Sequence, residues 1–261
     1  MRHVLAVARR ELESYFASPI AYAVMTIFTF VSGLFFSSIL VFAIRQAALA
    51  DSQLEKLGRS DFQLDVPTSV LSQFFQNEAF LLMFALPLLT MGLMTDERRK
   101  GTLELLLTSP VRATELALGK FLGALGLVSV LLVPLLPMFY FLAQGGDWEP
   151  GVVASGLLGL LLLAGAQIGL GLFISSLCEN VLVAAIGTYG VLMTLQFIDA
   201  SAAGTQSIWT KLVAYFSFYM RQQNSTRGFI LVEDVIYFVS YIALGLFLTQ
   251  RSIEAIRYKR T

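Results

Sequence analysis

The stretch IAYAVMTIFTFVSGLFFSSILVFAI, residues 20–44, contains no charged residue. A helix that crosses the hydrocarbon core of a bilayer needs about 20 mostly apolar residues. Because the run exceeds this length without a charge, it predicts a transmembrane helix. The alternative is a cleaved signal peptide, since Ala48-Leu49-Ala50 resembles a cleavage site. The apolar core of a signal peptide has only about 7–15 residues, so we interpret the run as a membrane span.

Similar apolar runs recur along the chain and predict further spans. They are Ala79–Thr95, Phe121–Gly146, Pro150–Cys178, Asn180–Ile198 and Gly228–Gln250. The third span contains Pro134 and Pro137, which should kink it. The composition agrees, because 56% of residues are hydrophobic and 14% charged, whereas soluble domains are about a quarter charged. We predict an all-α polytopic membrane protein with six transmembrane helices.

The distribution of Lys and Arg predicts the orientation, because cytoplasmic segments are enriched in these residues. With the N-terminus inside, six basic residues fall in the outer loops, which are residues 45–76 and 200–227. The other twelve are cytoplasmic: Arg2, Arg9, Arg10, Arg98, Arg99, Lys100, Arg112, Lys120, Arg251, Arg257, Lys259 and Arg260. Both termini are therefore expected in the cytoplasm. The 18 basic and 18 acidic residues balance, so no net positive charge attracts nucleic acid.

Residues 1–18 precede the first span and read as an amphipathic helix that ends at Ser18-Pro19. One face carries Leu5, Leu12 and Phe16, and the opposite face carries Arg2, Arg9 and Glu13. Such a helix can lie in the membrane interface with its arginines toward lipid headgroups. A simple topogenic anchor is the alternative, and the sequence leaves both open.

Residues 96–120, DERRKGTLELLLTSPVRATELALGK, lie on the predicted cytoplasmic side. Gly101 breaks the preceding helix, Thr102 can cap a new one, and Pro110 closes the segment. The resulting leucine-rich helix has barely two turns, and so short a helix is marginal alone in water. It must pack either against this chain's own membrane helices or in the groove of a partner.

The pattern E-x₃-G-T-L-E-x-L-L-x-S-P with a downstream G-K resembles the signature of ABC-2 type transporter permeases. The residues that carry it are Glu97, Gly101, Thr102, Leu103, Glu104, Leu106, Leu107, Ser109, Pro110, Gly119 and Lys120. The arrangement of an amphipathic helix, six spans and this motif between spans two and three is similar over essentially the whole chain. The motif and the long first outer loop most resemble the branch named for gliding-motility auxiliary transporters.

The resemblance implies that Gly101–Pro110 is a short cytoplasmic coupling helix, seated in a cleft of a separate ABC ATPase. The residues expected to couple are Glu97, Gly101, Thr102, Leu103, Glu104, Leu105, Leu106, Leu107 and Pro110. ATP and Mg would be bound by that partner, and a second permease copy or related subunit would complete the transporter. The implied location is a bacterial inner membrane. The turn Ser175–Asn180 is either a second ATPase contact or an ordinary hairpin.

The residues argue against an activity of the chain's own. A Walker A loop needs G-x₄-G-K-[ST], and Gly119-Lys120 is followed by Phe121. One histidine and one cysteine exclude histidine triads, an intrachain disulfide and a zinc cluster. We therefore expect no enzyme and no cofactor in this chain. The functional alternatives are a non-transporting scaffold for an extracytoplasmic complex and a self-sufficient channel or secondary transporter.

Small and polar residues within the spans suggest further contacts. Gly119-x₃-Gly123 and Gly165-x₃-Gly169 are close-packing faces, expected within the chain and alternatively between two copies. Gln167 and Gln196 are expected to hydrogen-bond between helices, with a transport path as the alternative. Glu233 and Asp234 lie near the outer end of span six. The aromatic loop 200–227 is interpreted as an interfacial or re-entrant helix, which caps a path or docks an extracytoplasmic partner.

Overall fold

The computed structural model describes residues 2–56, 66–99, 101, 112–144, 150–198 and 215–258. Within those ranges every regular element is helical, so the predicted all-α class is confirmed. The helices are α1 (Arg2–Ala17), α2 (Pro19–Lys56), α3 (Val66–Thr90), α4 (Gly92–Arg99), α5 (Ala113–Leu132), α6 (Leu136–Ala143), α7 (Pro150–Leu177), α8 (Val181–Phe197), α9 (Phe218–Thr226) and α10 (Val232–Tyr258).

Five helical stretches of the described residues are long and apolar enough to cross a membrane. They are Pro19–Ala50, Pro67–Arg99, Ala113–Ala143, Pro150–Leu177 and Val232–Ile256. The predicted fifth span corresponds to α8, an apolar helix of 17 residues, which is shorter than the others. The chain is a multi-pass membrane protein.

The first two spans are longer than the apolar runs that predicted them. Helix α2 continues to Lys56 and α3 begins at Val66, so helix extends from both sides into residues 45–76. The predicted second run begins only after Glu78 because this residue is charged, but Glu78 is fully buried in the structure. Its Oε2 accepts a hydrogen bond of 3.0 Å from the Ser32 hydroxyl. A buried polar residue that is hydrogen-bonded to a neighbouring helix therefore marked the end of the run without ending the helix.

Span three changes helix type at the prolines that predicted a kink. Helix α5 ends at Leu132, Val133–Leu135 forms a 3₁₀ turn, and α6 begins at Leu136. Pro134 lies within the turn and Pro137 in the first turn of α6. Since a proline lacks the backbone N–H that continues the α-helical ladder, the change of helix type at this point is expected.

The Gly119-x₃-Gly123 face packs within the chain, against α1. A Cβ atom added to Gly119 would lie 2.6 Å from Val7 Cβ, and one added to Gly123 would lie 2.7 Å from Glu11 Cβ and 3.0 Å from the Ala8 carbonyl oxygen. Only glycine lets two helix backbones approach this closely. The prediction of intrachain packing is confirmed for this face, and α1 is thereby fixed along α5.

The Gly165-x₃-Gly169 face also packs within the chain, against α10. A Cβ atom on Gly245 would lie 2.4 Å from the carbonyl carbon of Gly169, and one on Gly165 would lie 2.9 Å from Ile242 Cδ1. Helix α7 also contacts α3, α5, α8 and α9, so it forms the centre of the bundle. The interior is apolar around it, with Leu160 and Leu163 fully buried.

Candidate functional site

Four charged side chains meet where α1, α4 and α5 converge, and we call them the ion cluster: Arg10, Glu11, Glu97 and Lys120. Lys120 Nζ lies 2.6 Å from Glu11 Oε1 and 2.9 Å from Glu97 Oε1. Arg10 Nη2 lies 2.7 Å from Glu97 Oε1 and 3.3 Å from Glu11 Oε1. The cluster joins residues up to 109 positions apart in the chain.

Lys120 is the buried centre of the ion cluster. Its side chain is 1% exposed, and its Nζ also donates to the Leu93 carbonyl oxygen at 2.6 Å. Glu11 reaches it because Gly123, one turn along α5, allows α1 to approach. The Arg10 side chain is 54% exposed, so the cluster is open to water on that side only in part.

Two positive and two negative side chains balance in this cluster. Moving a single charge out of water costs several kcal/mol unless an opposite charge and hydrogen bonds compensate it. Lys120 Nζ has three acceptor oxygen atoms at hydrogen-bonding distance, those of Glu11, Glu97 and the Leu93 carbonyl. The arrangement therefore holds α1, α4 and α5 together only while each of its charges keeps its partner.

Helix α4 is fixed on its other side by α7. The helix is interrupted between α3 and α4 at Met91. The Met91 carbonyl oxygen accepts a hydrogen bond of 3.0 Å from the Ser175 hydroxyl. The same oxygen atom of Ser175 accepts from the Met94 backbone N–H at 3.1 Å. Asn180 then caps α8 by accepting from Leu182 N at 2.9 Å. The start of the predicted turn Ser175–Asn180 is thus bound to α4.

Tyr15 links α1 to the end of α3. Its hydroxyl donates to the Leu89 carbonyl oxygen at 2.8 Å. Burial raises the pKa of Tyr15, and the carboxylates of Glu11 and Asp96 raise it further. The hydroxyl therefore remains a hydrogen-bond donor throughout the physiological pH range.

Of the residues predicted to couple, the structure describes two. Glu97 lies in the ion cluster. Gly101 is exposed at φ 68°, a conformation that favours glycine, and its N–H donates to the Arg98 carbonyl oxygen at 3.1 Å. The others lie outside the described residues: Thr102, Leu103, Glu104, Leu105, Leu106, Leu107 and Pro110.

The chain is described again from Arg112, at the start of α5. The Glu115 carboxylate accepts a hydrogen bond of 3.1 Å from the Arg112 backbone N–H, which satisfies one donor of the helix end. The ion cluster thus includes a residue of each helix that flanks residues 100–111: Glu97 of α4 before it and Lys120 of α5 after it.

Sequence reasoning missed Glu11 as a partner of Lys120 and Arg10 as a second partner of Glu97. The signal was available in part, because Glu11 continues the helical face of Val4 and Val7 that packs on α5. A carboxylate in line with a packed face needs a buried partner. The predicted apolar face of α1 was right for Leu12 and Phe16, which pack on the core, but Leu5 is 67% exposed.

In the first turn of α10, the two acids predicted near the end of span six have different environments. Asp234 is buried and accepts from Arg221 Nη1 at 3.1 Å and from Asn224 Nδ2 at 2.9 Å. Glu233 is exposed and lies 3.5 Å from the same guanidinium. Arg221 and Asn224 belong to α9, so a helix occupies the end of the aromatic segment 200–227.

The two glutamines in the spans are both buried, but their side chains form fewer hydrogen bonds than expected. Gln167 is 1% exposed, and neither polar atom of its side chain has a hydrogen-bond partner among the described residues. The Oε1 atom of Gln196 likewise has none there. The interhelical hydrogen bond predicted for Gln167 is therefore not formed in the described part of the chain.

Comparison with known families gives one match over most of the chain. The family model described as ABC-2 type transporter matches residues 2–231. The matched range begins with α1, contains the whole ion cluster and ends just before α10. No curated protein sequence matches the chain.

Proposed function

The chain belongs to the ABC-2 type transporter family, and from this premise we propose that it couples ATP hydrolysis by a separate ATPase to export or mechanical work. It is the multi-pass membrane component of an ABC transporter, the permease and not the ATPase. Members of this family generally work with a cytoplasmic ABC ATPase. The proposal concerns how this chain receives the motion of such a partner.

The proposed coupling element is the leucine-rich segment Gly101–Pro110. Its anchors in a cleft of the ATPase would be Leu103, Leu105, Leu106 and Leu107, because buried apolar side chains dominate most contacts of this kind. Glu104 and the basic residues 98–100 would orient it through salt-sensitive pairing. Gly101 supports this role, because its positive φ ends the preceding helix where the segment begins.

The observation that carries the proposal is the position of the ion cluster. Glu97 lies four residues before Gly101, and Lys120 follows Pro110 by ten residues along the chain. Their side chains meet at 2.9 Å, and both contact α1. A force on the intervening segment would therefore displace α4, α5 and α1 together. Because α4 continues span two and α5 begins span three, both spans would move.

We propose six spans with both termini in the cytoplasm, with α8 as the fifth span in chain order. Its 17 residues reach the lower limit for a spanning helix, about 17 residues. The tight connection from Leu177 to Val181 supports two antiparallel crossings. The excess of Lys and Arg at the ends that carry α1, α4 and the last turns of α10 supports the orientation.

The same proposal includes a pair of permease subunits in a bacterial inner membrane, of the gliding-motility auxiliary type. Support for the branch is the sequence pattern from Glu97 to Pro110. Support for a pair is the apolar surface of α2 and α8, on which Phe30, Phe42 and Ile186 are exposed. The leucine-rich segment needs no bound ATP or Mg of its own, which the partner would hold.

One observation favours a second candidate, a self-sufficient proton-coupled transporter. Glu78 is a fully buried carboxylic acid within span two, and its Oε1 has no hydrogen-bond partner among the described residues. Ionisable residues at membrane depth often belong to proton pathways. Its described hydrogen bond from Ser32 fits a clamp between α2 and α3 equally well. Proton uptake by vesicles that contain this chain alone, abolished in Glu78→Gln, would favour the second candidate.

The decisive experiment is co-purification with the ABC ATPase encoded in the same genome. The chain is tagged, and the native protein is compared with the double variant Leu105→Arg, Leu106→Arg. We expect the ATPase to co-purify with the native chain and to be lost with the double variant. Two buried charges without partners should cost several kcal/mol, which abolishes binding at micromolar concentration.

The matched control is Leu5→Arg, which places an arginine on a 67% exposed leucine of α1. This variant should retain the ATPase, and all three proteins should insert in the membrane in equal amounts. Retention of the ATPase by the double variant would assign the leucines to internal packing. Failure of any ATPase to bind the native chain would favour the scaffold and channel alternatives.

A further inference from the structure

A cavity of about 470 Å³ lies between the first turns of α10 and residues 215–216, which directly precede α9. We call it the aromatic cavity. Its walls are Tyr215, Phe216, Glu233, Ile236, Tyr237, Ser240, Tyr241 and Leu244. Its volume falls in the range of about 300–1,000 Å³ that is typical of small-molecule sites. No contact assigned to coupling involves these residues.

The aromatic cavity lies at the end of the bundle far from the ion cluster. The last turns of α10 contact the end of α7, where Ser252 Oγ donates to the Ser176 carbonyl oxygen at 3.3 Å. The neighbouring Ser175 binds α4, which carries Glu97. Glu233, in the first turn of α10, precedes Ser252 by 19 residues, so it lies about 29 Å away along the helix axis. The cavity is therefore at the opposite membrane interface.

The polar end of the cavity has an acid available to a cation. Arg221 pairs with Asp234 at 3.1 Å and lies only 3.5 Å from Glu233, so one guanidinium serves two carboxylates. Asp234 is buried, whereas the Glu233 side chain is 78% exposed. Glu233 lies in the first turn of α10, where the helix dipole stabilises a negative charge. Its carboxylate still faces solvent.

The aromatic rings favour the same kind of ligand. The rings of Tyr215 and Tyr237 lie 6.2 Å apart, and those of Tyr237 and Tyr241 lie 5.0 Å apart. The Arg221 guanidinium lies 4.2 Å from the centre of the Tyr215 ring and 5.5 Å from that of Tyr237, so a ligand ammonium group would use the remaining ring faces, including that of Tyr241. The Tyr215 hydroxyl can donate to a phosphate oxygen atom, whereas the Tyr237 hydroxyl already donates to the Phe216 carbonyl oxygen at 2.7 Å.

The other end of the cavity is apolar and open to lipid. Ile236 and Leu244 line it and are 63% and 48% exposed on a membrane-spanning helix. An acyl chain can follow this surface of α10 from the interface toward the bilayer centre. A ligand that fits both ends has a cationic head and a hydrocarbon tail. We propose that the aromatic cavity binds an ethanolamine phospholipid from the leaflet at this end of the bundle.

The test is native mass spectrometry of the delipidated full-length chain in detergent. The protein is mixed with equal amounts of phosphatidylethanolamine and phosphatidylglycerol, and the bound lipid is counted. We expect the native chain to retain the ethanolamine lipid about fivefold in preference, and Glu233→Gln to bind both lipids equally. The control Glu179→Gln removes an exposed acid at the other end of the bundle and should keep the preference.

A second variant tests the apolar end without changing charge. Ser240→Trp places an indole in the cavity from an exposed position of α10, so it should fold and bind less of either lipid. Free ethanolamine added in excess should not displace the lipid, because it lacks the acyl chain. Equal retention of both lipids by the native chain, an unchanged preference in Glu233→Gln, or full displacement by free ethanolamine would each overturn the proposal.

Discussion

Replacing Lys120 by methionine removes the central charge of the ion cluster while keeping a side chain of similar length. Glu11 and Glu97 would lose ion pairs of 2.6 and 2.9 Å, and the Leu93 carbonyl oxygen would lose a donor. Arg10 would remain as the only cation of the cluster. Two carboxylates that are 11% exposed would then share one guanidinium that is 54% exposed.

The expected loss of stability follows from the burial of those carboxylates. Removing one partner of a buried ion pair costs about 3–5 kcal/mol, because the other charge stays uncompensated. Since Arg10 still pairs with both acids, we take the lower end, about 3 kcal/mol. For a chain of this size each kcal/mol lowers Tm by about 2–4 °C. The apparent Tm of Lys120→Met should therefore fall on the order of 10 °C.

The assay is loss of the monodisperse size-exclusion peak after heating the detergent-solubilised protein. The matched control is Arg9→Ala, which breaks the 2.7 Å pair with Glu13 on the exposed face of α1. Both partners of that pair are largely exposed, at 82% and 64%. Water and salt screen such exposed pairs, so they contribute little to stability, and the control should leave Tm almost unchanged.

A triple variant separates uncompensated charge from lost packing. Lys120→Met combined with Glu11→Gln and Glu97→Gln removes the buried charges on both sides, and neutral replacement of a whole buried ion network is often tolerated. It should regain at least half of the loss. If Lys120→Met melts with the Arg9→Ala control, the cluster does not hold the helices together. If the triple variant is no better than the single one, the loss comes from packing.

Three further outcomes are expected in the same thermal assay. Gly119→Val should lower Tm by several degrees because its Cβ would lie 2.6 Å from a side chain of α1, whereas Gly190→Ala, with open space around it, should not lower it. Glu78→Gln should be nearly neutral because an acceptor remains, and Glu78→Leu should cost about 1–3 kcal/mol by leaving a buried hydroxyl with one partner fewer. Tyr15→Phe should cost about 1 kcal/mol through its lost hydrogen bond to the end of α3. A large loss in Gly190→Ala, or none in Gly119→Val, would contradict the packing described for α1 and α5.

The apolar runs predicted the spans because lipid as a solvent leaves few choices of backbone structure. The runs could not predict where helices end. Helix α3 extends to both sides of Glu78, whose Oε2 accepts a hydrogen bond from a serine of another helix. A single sequence does not display a partner that lies 46 positions away. Pro134 was informative because its effect on the helical ladder is local. The glycine pairs were informative because their four-residue spacing places two small residues on one face of a helix, although the helix that packs there is distant in the sequence.

The candidate site was predictable in its position and not in its contacts. Glu97 and Lys120 stood out as parts of a motif, but their mutual pairing depends on how α4 and α5 meet. Glu11 was assigned no role, although its place in line with the packed face of α1 is visible in the sequence. The predicted coupling residues Thr102–Pro110 lie outside the described residues, so their role stays a prediction.

The long separation between Glu11 and Lys120 has a consequence for biosynthesis. These residues are 109 positions apart, and ribosomes add about 5–20 residues per second. Helix α1 therefore leaves the ribosome about 5–20 s before the glycine face that receives it. During that interval the face of α1 that packs on α5 lacks its partner, and the membrane surface can cover it. Docking of α1 is a late event in maturation, so an N-terminal fusion that delays it should yield inserted but protease-sensitive protein.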